Sequence, residues 1–327
     1  MDERGAESSM AKWKVVATTV TFGKINKEPL ERLLAGDCEV ITNPFGRPFT
    51  KEELITYCRD ADAIIAGNDK LPGEVIEKCP KLKIIAKHGV GVDGIDLEAA
   101  KRLGVTVTNA PGTNAEEVAD LAIAFILLLA RGIIEGNENV KQGKWKKPGT
   151  GISMYEKTIG ILGLGAIGCA TARRARGFGM NVLGYDVRQN PEAVRMGVKF
   201  VPLDELLRNS DFISLHLPLT SETRHLLNRE RISMLKKGVL IANTARSQLI
   251  DYEALREGLR NGSIGGYATD VYDMEPPAHH PIFDLPNVIT TPHIGGGTKD
   301  SNRRMGNVAV DNVLAVLRGE KAPNIIV

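Results

Sequence analysis

The chain has 327 residues, 43% of them hydrophobic, and this length predicts two domains because one core organises about 100–200 residues. Its 42 basic and 40 acidic side chains leave a net charge of +2 without a long Lys/Arg block. This balance argues against nucleic-acid and membrane-surface partners and favours a small-molecule partner. The four widely spaced cysteines form no metal-binding pattern and fit reduced thiols in a cytoplasmic protein.

The first ten residues, MDERGAESSM, are polar and predict a frayed terminus that is neither a signal peptide nor a membrane anchor. The rest of the first third alternates strand-like runs with amphipathic, helix-like segments. The strand-like runs are KVVATTV, CEVIT, ADAIIAG, LKIIAKHG and VTVTNAP. This alternation predicts right-handed βαβ units on a parallel sheet.

A helical pattern then runs from Asn114 to about Arg131. It contains the longest apolar run, Leu121–Ala130, whose ten residues fall well short of the about 20 that cross a bilayer. We therefore expect a buried helix that bridges two domains.

A second alternating series follows and predicts a second doubly wound sheet; its strand-like runs are TIGILG, NVLGYD, VKFV, DFISLHLP, GVLIANTA, GYATDVY and NVITTPH. The last helical segment, SNRRMGNVAVDNVLAVLRG, has no strand after it that would pair with this sheet, so we expect it to return to the first domain. The predicted fold is α/β with two Rossmann-like doubly wound domains. The first is discontinuous, residues 1–110 and 298–327, and the second spans residues 111–297.

The most specific motif is TIGILGLGAIG, in which Gly163, Gly165 and Gly168 form G-x-G-x-x-G between a strand and a helix. These glycines allow a tight turn, close approach of a pyrophosphate and close helix–strand packing. The next strand ends in Asp186, eighteen residues after Gly168, where a carboxylate meets adenosine ribose hydroxyls. Asp186 favours NAD over NADP because it repels a 2′-phosphate, although the nearby Arg188 leaves NADP open. A tight turn without a ligand is the alternative.

Three ionisable residues fall after later strands of the same series. Arg246 closes VLIANTAR, Glu275 follows in DVYDMEPP and His293 closes VITTPH. An arginine fork matches a carboxylate and polarises an adjacent carbonyl, and a glutamate beside a histidine stabilises and orients its imidazolium as a proton donor. Taken one at a time, Arg246 also fits a surface cation, Glu275 a solvated loop residue and His293 a structural histidine. Together they predict hydride transfer between a nicotinamide cofactor and a 2-oxo acid.

The chain resembles the D-isomer-specific 2-hydroxyacid dehydrogenases over nearly everything from Lys14 to Val327. The resemblance rests on the segments above and on HGVGVDGIDLEAAKRLGVTVTNAPG, NSDFISLHLPLTSETRHLL and MLKKGVLIANTARSQLID. That family includes phosphoglycerate dehydrogenase, glyoxylate/hydroxypyruvate reductase and D-lactate dehydrogenase. The resemblance implies an NAD-binding Rossmann domain inserted into a flavodoxin-like substrate domain, dimerisation through the NAD-binding domain, and Arg246, Glu275 and His293 as the catalytic set.

The resemblance also implies where ligands lie along the chain. Backbone amides around Val90 and Gly91 hold the substrate carboxylate, and Asp270 contacts the nicotinamide amide. The remaining cofactor positions implied in this way are Ala166, Ile167, Pro218, Thr223, Thr244, Gly295 and Gly296.

Two departures from the family pattern leave the substrate open. Most members read A-R-G-G, whereas here Ser247 and Gln248 follow the arginine, so the turn loses glycine freedom and gains polar side chains. Phosphoglycerate dehydrogenases carry a phosphate-binding Arg-Ser pair at the positions of Ala66 and Gly67. The second departure weakens a 3-phosphoglycerate assignment.

Lys87 and His88, just before the carboxylate loop, are candidate substrate contacts that would supply positive charge instead, with a solvated strand end as the alternative. His279 and His280 lie in a proline-rich loop without further ligands at metal-binding spacing, so no metal site is expected. A non-catalytic NAD(H)-sensing scaffold of the co-repressor type is the alternative to a phosphoglycerate dehydrogenase-like or hydroxypyruvate/glyoxylate reductase-like enzyme.

Overall fold

The computed structural model describes residues 12–327, so the frayed terminus expected for the first ten residues lies outside the described part of the chain. Contacts divide the chain into unit 1, Met1–Asn114 with Thr298–Val327, and unit 2, Ala115–Gly297. The sequence-based boundary was placed after residue 110. Residues 111–114 form a turn that the contacts assign to unit 1.

Unit 1 contains a parallel five-stranded sheet. Its strands are β1 (Trp13–Ala17), β2 (Cys38–Thr42), β3 (Ala63–Ala66), β4 (Ile84–Lys87) and β5 (Thr106–Thr108). Their spatial order is β2-β1-β3-β4-β5, which is the flavodoxin-like doubly wound order. All four residues of β3 are buried, as expected for a parallel strand covered on both faces.

Helices cover this sheet. They are α1 (Glu28–Ala35), α2 (Lys51–Cys58), α3 (Gly73–Ile76), α4 (Leu97–Arg102) and, at the end of the chain, α12 (Lys299–Leu317). Helix α12 packs against α1 and β4 and buries residues such as Val310 and Val313 in the same core as β1. The apolar spacing of the last segment thus completes unit 1.

Unit 2 contains a parallel seven-stranded sheet. Its strands are β6 (Thr158–Leu162), β7 (Asn181–Tyr185), β8 (Lys199–Phe200), β9 (Phe212–Leu215), β10 (Val239–Asn243), β11 (Ile264–Thr269) and β12 (Val288–Thr290). The spatial order is β12-β11-β10-β9-β6-β7-β8. Strand β6 is the point where the order reverses, and in open α/β sheets ligands bind at the carboxyl ends of strands near this point.

The helices of unit 2 are α5 (Ala115–Arg131), α6 (Ile133–Lys141), α7 (Ala166–Gly177), α8 (Pro191–Arg195), α9 (Leu203–Asn209), α10 (Arg229–Ser233) and α11 (Tyr252–Asn261). Helix α5 contains the apolar run and packs against α7, β10 and β11, so the expected buried helix is confirmed. Arg174 of α7 pairs with Glu116 and Asp120 of α5 at 2.8 and 2.6 Å. These ion pairs join the last turn of α7 to the first part of α5.

Within residues 12–327, no helix combines the length and apolar character needed to span a membrane. All four cysteines are free and buried. The same residues contain no group of three or more His, Cys, Asp or Glu side chains placed to hold a metal ion.

Candidate active site

The glycine motif forms the turn between β6 and α7. Gly163 has a φ of +96°, and a β-carbon there would lie 2.7 Å from the backbone of His216. A β-carbon on Gly168 would overlap the carbonyl oxygen of Gly163. Gly165 precedes α7 and faces open space. Two glycines are therefore required by packing, while the third leaves room for a phosphate before the helix N-terminus.

Asp186, which follows β7, is half-buried beside this turn. Its Oδ2 accepts a hydrogen bond from the backbone N–H of Leu164 at 2.7 Å, and its Oδ1 accepts one from the N–H of Arg188 at 3.4 Å. The side chain of Asn190 donates to the carbonyl of Leu164 at 2.8 Å. Asp186 therefore braces the glycine turn, a role that its position in the sequence did not reveal.

The other expected cofactor positions of unit 2 lie around the carboxyl end of its sheet. Ala166 and Ile167 form the first turn of α7 and remain partly accessible. Thr223 donates its hydroxyl to the carbonyl of Pro218 at 2.7 Å. The Thr244 hydroxyl, just after β10, is buried and has no hydrogen-bond partner within the described residues. An unpaired buried hydroxyl and an open helix N-terminus both fit a bound dinucleotide.

His293 and Glu275 form a close pair. Nδ1 of His293 lies 2.7 Å from both carboxylate oxygens of Glu275. The side chains are 39% and 25% exposed, so the pair is neither sealed from solvent nor fully solvated. Because Nδ1 is used by the glutamate, Nε2 is the ring atom that can exchange a proton with a substrate.

The turn that carries His293 is held in an uncommon conformation. His293 has a φ of +51°, in the left-handed region that residues with a β-carbon rarely adopt. Asp270 is 2% exposed, and its carboxylate accepts hydrogen bonds from the Thr291 hydroxyl at 2.6 Å and from the N–H groups of Ile294 and Gly295 at 2.7 Å each. These bonds flank His293 on both sides. Asp270 therefore fixes the histidine turn, in addition to the nicotinamide contact expected from the resemblance.

Arg246 follows β10 and is half-buried. The side chain of Asn243 holds its backbone, accepting from the N–H of Ala245 at 3.0 Å and donating to the carbonyl of Arg246 at 2.9 Å. Arg246, Glu275 and His293 come after β10, β11 and β12, which are neighbours in the sheet. The fold thus gathers the three residues at one sheet edge, as the sequence predicted for parallel strands.

Lys87 ends β4 of unit 1 and is half-buried. Its ammonium donates to the carbonyl of Gly67 and lies 3.3 Å from Oδ1 of Asn68. The following loop exposes Val90, whose carbonyl accepts from the Asn109 side chain at 2.8 Å, while Gly91 is half-buried. Lys87 therefore provides a positive charge at the carboxyl end of this sheet.

His88 differs from this expectation. The residue is 8% exposed, its ring meets Phe22 edge-on at 6.3 Å, and Nε2 has no hydrogen-bond partner within residues 12–327. Burial lowers the pKa of His88 to about 4, so the ring is uncharged at neutral pH. The expectation that His88 supplies positive charge is wrong, because its ring is buried against Phe22 and burial disfavours the charged form.

Two hydrogen bonds around Glu275 were missed in the sequence. The Ser247 hydroxyl donates to Oδ1 of Asp273 at 2.6 Å, and the Tyr272 hydroxyl donates to the carbonyl of Thr291 at 2.7 Å. The partners are far apart in the chain, so no local pattern signals either bond. The departure from A-R-G-G at Ser247 was the one available hint.

Comparison with known proteins identifies the family to which this chain belongs. Residues 123–295 match the family described as D-isomer specific 2-hydroxyacid dehydrogenase, NAD binding domain. The D-3-phosphoglycerate dehydrogenase of Methanocaldococcus jannaschii is 43% identical over 89% of this chain, and the match spans 55% of that enzyme. The glyoxylate reductase of Thermofilum pendens is 39% identical, covering 97% of this chain and 95% of that protein.

A solved structure agrees with these sequence matches. The apo-structure of D-lactate dehydrogenase from Escherichia coli superposes with a TM-score of 0.85 at 32% identity, covering 96% of this chain and 100% of that chain. Both the sequence relatives and the solved structure extend over unit 1 and unit 2. The chain therefore belongs to the D-isomer-specific 2-hydroxyacid dehydrogenase family, and it is an NAD(P)-dependent oxidoreductase of the 2-hydroxyacid dehydrogenase type.

Proposed function

We propose that the protein interconverts a D-2-hydroxy acid and its 2-oxo acid, with a substrate range like that of phosphoglycerate dehydrogenases or hydroxypyruvate/glyoxylate reductases. The observation that carries the proposal is the 2.7 Å pair of His293 and Glu275 at the sheet edge that also bears Arg246. The names of the relatives, D-3-phosphoglycerate dehydrogenase and glyoxylate reductase, support the same substrate class.

In the proposed mechanism, each residue of the trio has one task. The guanidinium of Arg246 binds the substrate carboxylate and polarises the adjacent carbonyl. His293 donates the proton on Nε2 to the carbonyl oxygen as that carbon is reduced, and Glu275 stabilises the imidazolium through Nδ1. The bound nicotinamide cofactor supplies the hydride. In the direction of oxidation, Nε2 accepts the hydroxyl proton.

The proposed cofactor is NAD, with NADP less favoured. Its pyrophosphate is assigned to the amides at Gly165, Ala166 and Ile167, and its adenosine ribose to Asp186. Both Asp186 oxygens accept backbone hydrogen bonds, which supports a carboxylate fixed in place where a 2′-phosphate would be repelled. Arg188 is exposed and is the residue that would favour a phosphate.

The remaining cofactor positions are also proposals. Thr244 offers its unpaired hydroxyl, and Asp270 keeps lone pairs beside its backbone bonds. Pro218, Thr223, Gly295 and Gly296 are assigned as backbone and side-chain lining by resemblance to the family.

For the substrate, we propose that the amides at Val90 and Gly91 bind the carboxylate and that Lys87 favours a polar or anionic group on the third carbon. The Lys87 ammonium, held near Gly67 and Asn68, supports this role because it ends a strand at the carboxyl side of the sheet. His88 is retained only as a neutral packing residue beneath this loop.

We further propose that the protein forms a homodimer through unit 2 and acts in the cytoplasm, where its four free thiols would stay reduced. Helix α6 has no buried residue and exposes Ile133, Ile134 and Val140, and Trp145, shortly after the helix, is 90% exposed. Exposed apolar side chains of this kind favour an interface, and we propose that a second copy of the chain covers this surface. Light scattering should give the mass of a dimer for the wild type and the mass of a monomer for Trp145→Asp. Leu34→Asp, a control on unit 1, should remain dimeric. The mass of a monomer for the wild type would contradict the proposed dimer.

The proposed activity is tested by NADH oxidation with glyoxylate, hydroxypyruvate, pyruvate and phosphohydroxypyruvate. Turnover with at least one acid, lost in Arg246→Ala, is the expected result. Absence of turnover with all four acids would overturn the proposal. NADH binding without any turnover would instead favour the NAD(H)-sensing scaffold.

A further inference from the structure

The turn after Arg246 is linked to the loop that carries Glu275. Residues Ser247–Leu249 form a short 3-10 turn, and Ser247 is 1% exposed. Its hydroxyl donates to Oδ1 of Asp273 at 2.6 Å, and Asp273 lies two residues before Glu275. One buried hydroxyl therefore joins the segment of one proposed catalytic residue to the segment of another.

The loop that carries Glu275 is held from the opposite flank as well. The Tyr272 hydroxyl donates to the carbonyl of Thr291 at 2.7 Å, two residues before His293. Side chains after β10 and within the loop after β11 thus connect all three strand ends. Since loops are more mobile than the strands they follow, such bonds decide how accurately the side chains they carry are aligned.

The bond has the features of a strong and specific contact. Its length is that of a charge-assisted hydroxyl–carboxylate bond, and the donor side is buried, so water competes poorly for the Ser247 hydroxyl. A glycine at position 247, which the A-R-G-G pattern would place there, has no hydroxyl to donate. This chain therefore has a link between the two segments that the common pattern does not provide.

We propose that Ser247 and Asp273 form a positioning pair that keeps Glu275, and through it His293, aligned with Arg246 during proton donation. The proposal rests on the proposed function of this trio. Neither residue of the pair is assigned a contact with the substrate or the cofactor. Loss of the hydrogen bond between Ser247 and Asp273 should therefore lower kcat. NADH binding should be unchanged, because it is assigned to the turn at Gly163–Gly168.

The test compares Ser247→Ala, Asp273→Ala, their double variant and Asp273→Asn, which keeps an oxygen acceptor but removes the charge. Ser233→Ala is the matched control, because the Ser233 hydroxyl makes a bond of the same 2.6 Å length to the carbonyl of Glu230 on the surface. Turnover is normalised to the concentration of NADH-binding sites, so that partly unfolded protein does not count.

Each alanine variant should lower kcat by about tenfold, the size expected when one charge-assisted hydrogen bond is lost. The double variant should be no worse than either single variant, because both changes remove the same bond. Asp273→Asn and Ser233→Ala should stay within about threefold of wild type. The solvent deuterium isotope effect on kcat should rise in the alanine variants, since proton donation becomes slower. An unchanged kcat or additive losses would overturn the proposal.

Hydrogen exchange provides a readout that does not depend on turnover. Amides of residues 271–275 should exchange several-fold faster in both alanine variants than in Asp273→Asn or wild type. If wild type turns over none of the oxo acids, the proposed function fails, yet faster exchange still supports the link between the two segments. Unchanged exchange in Ser247→Ala overturns the positioning pair whatever the activity.

Discussion

His88 offers a prediction whose size follows from its burial. Because the ring lies in the core of unit 1, its pKa falls from 6.5 to about 4. The unfolded chain binds a proton to this residue below about pH 6.5, while the folded chain binds it only near pH 4. The stability that the neutral ring contributes is therefore fully present above pH 6.5 and is lost as the pH falls towards 4.

The magnitude comes from the difference between the two pKa values. One pKa unit corresponds to about 1.4 kcal/mol, and integration between pH 7 and pH 5 gives a loss of about 2 kcal/mol from His88 alone. That loss is a large part of the roughly 5–15 kcal/mol that stabilises a typical domain. His88→Asn, which cannot titrate in this range, should lose about 2 kcal/mol less than wild type over the same interval.

Unfolding in urea, followed by tryptophan fluorescence at several pH values, measures this difference. Trp13 is 9% exposed in the core of unit 1, whereas Trp145, the other tryptophan, is 90% exposed and changes its surroundings little on unfolding. His279→Asn is the control, because His279 lies at the surface. An equal pH dependence in wild type and His88→Asn would refute the burial argument. A tenfold rise in the KM of the oxo acid for His88→Asn would restore His88 as a substrate contact.

Two further predictions concern the cofactor side. Gly168→Ala should lower the stability of unit 2 by about 3 kcal/mol and abolish NADH binding, because its β-carbon overlaps the carbonyl of Gly163. Gly177→Ala, in the same helix with open space around it, is the control and should have neither effect. Equal melting temperatures of the two variants would contradict this prediction. Asp186→Ala should reduce the preference for NADH over NADPH, measured as the ratio of kcat/KM values, and an unchanged ratio would contradict the assignment.

Much of the fold could be predicted because it depends on patterns that the sequence displays. Alternating apolar runs and helix-like segments indicated both sheets, and the chain order of strand-end residues indicated that Arg246, Glu275 and His293 would share one edge. Parallel strands make this inference sound, since their carboxyl ends lie on the same side of the sheet. The glycine motif could also be recognised, because its spacing between a strand and a helix is specific, and the structure leaves no room for a β-carbon at Gly163 or Gly168.

Other features of the site could not be predicted from the sequence. The bond between Ser247 and Asp273 joins residues 26 positions apart, and periodicity reports which residues are covered rather than which side chains meet. Asp270 looked like a ligand contact, yet its buried carboxylate also organises the turn around His293. The expectation for His88 was wrong because the residue directly follows Lys87 at a strand end, and no local pattern shows that its ring packs against Phe22.

The most direct test of the central claim is the turnover of His293→Ala with the best of the four oxo acids. We predict that kcat falls by about 10²–10⁴-fold while the Kd of NADH stays unchanged, as expected for the loss of a general acid. His279→Ala is the matched control, since Nε2 of His279 lies 3.1 Å from Oδ1 of Asp284 in another histidine–carboxylate pair. Turnover of His293→Ala close to that of wild type would contradict the account.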